Sequence, residues 1–70
     1  MNKNNIPDDN IELAALIDRY VKGERERAIL KRRLIDLVLF EPLAEEFNLS
    51  VRGTKNIVYR AEEQLFRNLK

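Results

Sequence analysis

Between Ser50 and Ala61 the chain carries three cations, Arg52, Lys55 and Arg60, and no acid, with Asn56 and Tyr59 among them. These side chains suit one kind of chemistry. A guanidinium can donate two parallel hydrogen bonds to guanine O6/N7, and an asparagine amide can accept from adenine N6–H with its oxygen while its nitrogen donates to N7. Ammonium and hydroxyl groups suit phosphate oxygens. At helical spacing the outward-pointing residues near the start of this segment are Val51, Arg52, Lys55, Asn56 and Tyr59. Arg52 and Asn56 are then candidates for reading base edges, and Val51 for apolar contact with a thymine methyl. Ser50, Lys55 and Arg60 suit phosphates, which position a protein without specifying sequence. The plain alternative for the three cations is a solvated helix face. Tyr59, like Tyr20, suits the edge of a core as well as a stacking role.

Other chemistry has few residues to work with. The 70 residues include no His and no Cys, which removes disulfides, thiolate ligands, the commonest general base and the commonest transition-metal ligand. Glu41, Glu45 and Glu46 are clustered, but at that spacing they complement a helix dipole more readily than they bind a metal. Ser50 has no base to activate it and reads as a helix cap. The expectation is a protein that is not an enzyme and holds no metal or cofactor. No apolar run approaches the ~20 residues needed to span a bilayer, and the polar start Met1-Asn2-Lys3-Asn4-Asn5 has no signal-peptide core. A cytoplasmic protein without membrane contact is expected.

The elements that must position the Ser50–Ala61 segment follow from composition and periodicity. A chain that is 44% hydrophobic and 36% charged, with two Gly and two Pro, reads as one small helical domain. Lys+Arg number 13 and Asp+Glu 12, yet residues 50–70 hold five cations and two acids, so positive charge gathers at that end. Residues 1–8 read as a disordered tail, and 9–70 as the domain. Asp9 with Glu12 makes a capping-box pattern for a first helix running to about Lys22, ended by Gly23 in a left-handed turn. A second helix restarts at Glu24 through Ala28, Ile29, Leu30, Leu34 and Leu37. Its run Lys31-Arg32-Arg33 is placed to pair with Glu24, Glu26 and Asp36, or to touch a phosphate backbone. Leu37-Val38-Leu39-Phe40 reads as a helix end and turn. Pro42 fits the first turn of a short third helix beginning near Phe40 or Glu41 and ending near Asn48. Ser50 caps a fourth helix with Val51, Ile57, Val58, Ala61, Leu65, Phe66 and Leu69 as its buried stripe.

A short helix, a tight turn at Asn48 and a second helix opened by Ser50 make the pattern of a helix-turn-helix at about residues 41–62. Ala44 is small where the second helix crosses it, Leu43, Phe47 and Leu49 face inward, and Ile57 packs the second helix back on the first. The string Glu24-Arg25-Glu26-Arg27-Ala28-Ile29-Leu30, then Leu34, then Leu43-Ala44-Glu45-Glu46-Phe47-Asn48-Leu49-Ser50, then Arg60-Ala61 with Leu65, resembles region four of bacterial sigma factors. It is similar also to small phage and mobile-element regulators that carry this region alone. The resemblance covers residues 24–66. It implies an all-α, four-helix domain with a C-terminal helix-turn-helix, a transcriptional regulator of double-stranded DNA that contacts the major groove through its last helix. It also implies contact with RNA polymerase.

The chain departs from that pattern before the third helix. Leu37 and Leu39 stand where the family has Gly and then Ser or Thr, so the turn is weakly specified and the second helix has room to run on. Thr54 replaces a core Val or Ile, and Gly53 lowers helix propensity by about 1 kcal/mol relative to Ala, which loosens the last helix. The Leu37–Phe40 run exceeds what so small a core covers. The leftover apolar surface fits a homodimer or a polymerase contact, and it carries the competing reading: an interaction module that binds polymerase or a phage packaging partner without reading DNA.

Overall fold

The computed structural model describes residues 10–69, which form four α-helices and no strand: α1 (Asn10–Tyr20), α2 (Glu24–Leu34), α3 (Phe40–Glu46) and α4 (Val51–Arg67). The Asp9 cap and the tail at 1–8 lie outside the described residues. α4 packs most extensively on α2 and α3, and α1 closes the remaining side. Between them lie Leu13, Ile17, Val21, Ile29, Leu30, Leu43, Val58, Ala61 and Leu65, all buried. Each of the larger side chains removes about 1.5–3 kcal/mol worth of apolar surface from water.

α1 stops two residues before Lys22. The carbonyl of Val21 accepts from Arg27 Nη1 at 3.1 Å, and the Lys22 N–H donates to Gln64 Oε1 at 3.2 Å. These partners from other helices replace a further helical turn. Gly23 has φ 93° and ψ 127°, a positive φ as expected, but outside the left-handed helical region; it serves as the N-cap of α2. A Cβ here would run into the Glu26 side chain, which folds back over the turn.

The cations of α2 find partners mostly on other helices. Lys31 Nζ lies 2.7 Å from Asp18 Oδ1 of α1, and Arg32 makes a two-pronged contact with Glu46 of α3 at 2.8 and 3.0 Å while also reaching Asp36 at 2.9 Å. Of the three acids expected to pair with the Lys31–Arg33 run, only Asp36 does; Glu26 pairs instead with Arg25 at 3.7 Å.

α2 does not run on. It ends at Leu34, the Val38 N–H turns back to the Arg32 carbonyl at 3.1 Å, and Leu37 takes φ 59°, the conformation that Gly adopts without a Cβ clash. Leu39 then stands as N-cap of α3 with no side-chain cap bond, and Pro42 occupies the first turn, where its missing N–H leaves no bond unmade. At the other end of α3, Asn48 has φ 60°. The Leu49 N–H bonds to the Ala44 carbonyl at 2.8 Å and the Asn48 N–H to the Glu45 carbonyl at 3.2 Å, the pair of bonds that closes a Schellman turn.

Ser50 caps α4: its Oγ accepts from the Gly53 N–H at 3.0 Å. Of the expected stripe, Val58, Ala61 and Leu65 are buried and Ile57, Phe66 and Leu69 pack against the same core partly buried; Val51 is half-buried, and Thr54 joins the inward line. Thr54 has 0% exposure, and its hydroxyl donates to the Ser50 carbonyl at 2.9 Å. With the polar atom satisfied inside the helix, Thr54 fills the site of a larger aliphatic residue without a stranded donor.

Candidate nucleic-acid interface

With Thr54, Val58, Ala61 and Leu65 held inward, the opposite side of α4 presents Arg52, Asn56, Tyr59 and Arg60, all exposed. Arg52 and Asn56 are one helical turn apart, and Tyr59 is 55% exposed. Lys55 and Arg60 flank this surface on opposite sides. Lys55 leans toward the start of α3, its Nζ 5.6 Å from the centre of the Phe40 ring. Arg60 borders an open cleft of about 370 Å³ with Lys22, Gly23, Glu26, Ile57, Ala61 and Gln64. Of the other sequence-predicted residues, Val51 is half-buried, which limits its reach, and Ser50 is exposed with its oxygen already accepting the Gly53 N–H. Its hydroxyl hydrogen still has a donor role to fill.

The charges separate two groups of cations. Arg25, Arg27, Lys31, Arg32 and Arg67 all form ion pairs, whereas Arg19, Lys22, Arg33, Arg52, Lys55 and Arg60 form none among the described residues, and three of these six lie on α4. Hydrogen bonds that Arg32 donates to the Glu46 and Asp36 carboxylates hold its guanidinium even more firmly protonated than usual. Burial pushes the Glu62 carboxyl above the ordinary glutamate range, against the pull of the Arg33 charge.

One cluster has no signature in the sequence. The Phe40 ring meets the Tyr59 ring edge-on, with centroids 6.1 Å apart and planes at 73°, and also lies beneath the Arg33 guanidinium at 4.3 Å. Phe40, Arg33, Lys55 and Tyr59 come from three helices, so no local spacing brings them together. The cation run Lys31-Arg32-Arg33 does not single out its last member, which differs from its neighbours only in the structure, where it lacks an ion pair among the described residues.

Among the described residues no group of acidic side chains is placed to hold a metal ion, and no helix is long and apolar enough to cross a membrane. Comparison with models of protein families, with curated proteins and with solved structures gives no match. The functional reading therefore stands on the geometry of this chain.

Proposed function

We propose that the chain is a sequence-specific double-stranded DNA-binding protein, a transcriptional regulator whose α3 and α4 act as a helix-turn-helix of the sigma-region-four kind. The observation that carries this reading is the placement of unpaired cations on both flanks of an exposed α4 surface whose centre holds Arg52 and Asn56. A helix lying in a major groove meets base edges along its outer side and a phosphate backbone on either hand. Lys55 and Arg60 suit the two backbones, and Arg52 and Asn56 suit the bases. The Schellman turn at Asn48 and the Ser50 cap support it further, because together they fix the angle at which α4 leaves α3. Leu37 at φ 59° also stands where the resembled family has Gly, and Leu39 takes the cap position where it has Ser or Thr.

The test is fluorescence anisotropy of mixed-sequence duplex DNA at two salt concentrations, beside a variant with Arg52→Ala and Lys55→Ala. Binding through several phosphates weakens steeply as salt rises, and the double variant loses most of the affinity. Absence of binding at low salt by the folded protein overturns the reading.

A second reading rests on a different observation. Leu37 is 73% and Leu39 68% exposed, in a chain this small a conspicuous pair of uncovered leucines. They favour an apolar docking surface for a second copy of the chain or for RNA polymerase, in an interaction module that does not read DNA. A monomeric mass by light scattering at high micromolar concentration removes the dimer.

A further inference from the structure

Arg33 differs from the two cations before it. Lys31 is held by Asp18, and Arg32 by Asp36 and Glu46, but Arg33 has no ion pair among the described residues. Its guanidinium is fixed all the same: Nη1 donates to the Val38 carbonyl at 3.0 Å, and the group lies 4.3 Å from the centre of the Phe40 ring. Only one of its five N–H donors is taken up by a hydrogen bond among the described residues. The same ring draws in Lys55 Nζ at 5.6 Å and touches Tyr59. Two cations are thus gathered on one aromatic ring beside the exposed side of α4. Glu62, the acid whose titration Arg33 influences, does not form an ion pair with it.

We propose that Arg33, oriented by Phe40 and acting beside Lys55, is a contact for a DNA backbone phosphate, so that the end of α2 grips the strand next to the one face of α4 that enters the groove. This rests on the duplex-binding reading above. Ring stacking and the bond to Val38 restrict the guanidinium before DNA arrives, so less side-chain freedom is lost on contact than for a free surface arginine. A planar guanidinium also offers a phosphate two parallel hydrogen bonds, which Lys31 in its ion pair does not. Phe40 is a positioning residue here: it touches the cations and not the phosphate.

The experiment compares the salt dependence of duplex binding for the wild type, Arg33→Gln, Phe40→Leu and Arg25→Gln. Arg25 lies at the far end of α2, and its loss changes the net charge by the same amount. Removing one phosphate contact reduces the salt slope by about 0.9, so Arg33→Gln loses about 3.5-fold less affinity than the wild type between 50 and 200 mM salt. Phe40→Leu gives a smaller change in the same direction, Arg25→Gln gives none, and discrimination between two duplex sequences is unchanged in Arg33→Gln. Circular dichroism checks folding; should Phe40→Leu prove unfolded, Arg33→Gln decides alone. A slope for Arg33→Gln equal to that of Arg25→Gln overturns the contact and leaves the α4 reading intact. Failure of the folded wild type to bind any duplex overturns both.

Discussion

Leu37 and Asn48 have almost the same backbone conformation, φ 59° and φ 60°, but opposite suitability for it. Asparagine visits the left-handed region readily, whereas a leucine there sets its Cβ against the following carbonyl at a cost of roughly 1–2 kcal/mol. The leucine recovers little of that by burial. At 73% exposure about a quarter of its side chain is covered, worth about 0.5 kcal/mol if full burial is about 2. Leu37→Asn should therefore stabilise the fold by about 0.5–1 kcal/mol, which for a domain of this size raises the melting temperature by about 3–8 °C. The reciprocal change, Asn48→Leu, should lower stability by about 1 kcal/mol or more, since the Schellman turn would then carry the strain. Thermal unfolding followed by circular dichroism at two protein concentrations measures both. A lower melting temperature for Leu37→Asn would refute the argument. It would mean that the leucine side chain holds a contact worth more than its strain, and a concentration-dependent loss would locate that contact in a second copy.

Three further outcomes follow from the geometry. Ser50→Ala removes the side-chain N-cap of α4 and should cost about 0.5–2 kcal/mol in chemical denaturation; an unchanged midpoint would show that water replaces the hydroxyl at no cost. Arg52→Ala and Asn56→Ala should each flatten preference between duplex sequences by about 1–3 kcal/mol, and retention of full preference by both would remove them from base reading. For Glu62 the folded state holds its proton more readily than the unfolded chain, so its contribution to stability is present below the ordinary glutamate range and is lost as pH rises through the raised value. Glu62→Gln should therefore stabilise the protein at neutral pH, with the gain disappearing in acid; a gain that persists undiminished in acid would exclude titration as its origin.

What the sequence made legible was chemistry confined to a few neighbouring residues. Asn48 and Ser50 announce a helix end and a helix start by their own side chains, and the structure uses both in those roles. The end of α1 was not legible, because it is set by Arg27 and Gln64, six and forty-two residues away from the groups they satisfy. That Thr54 joins the buried stripe of α4 was not legible for a related reason. Hydropathy favours Ile57 over Thr54, but the back-bond to Ser50 hides the threonine hydroxyl and lets its methyl face the core. The outward residues Arg52, Asn56 and Tyr59 were legible from helical spacing alone. The pull of Phe40 on Arg33 and Lys55 was not, since a cation resting on an aromatic ring leaves no periodicity to read.

α3 bears Glu41, Glu45 and Glu46, and of these only Glu46 is neutralised by an ion pair among the described residues. A charge dipole therefore spans the two helices, with uncompensated acids on α3 and uncompensated cations along the first half of α4. In the field of a polyanion such a molecule experiences a torque before any contact is made, turning the cationic side of α4 forward and the Glu45 end of α3 back. Salt that shortens the range of that field would then lengthen the search for a productive orientation, a kinetic cost separate from the weakening of the bound complex.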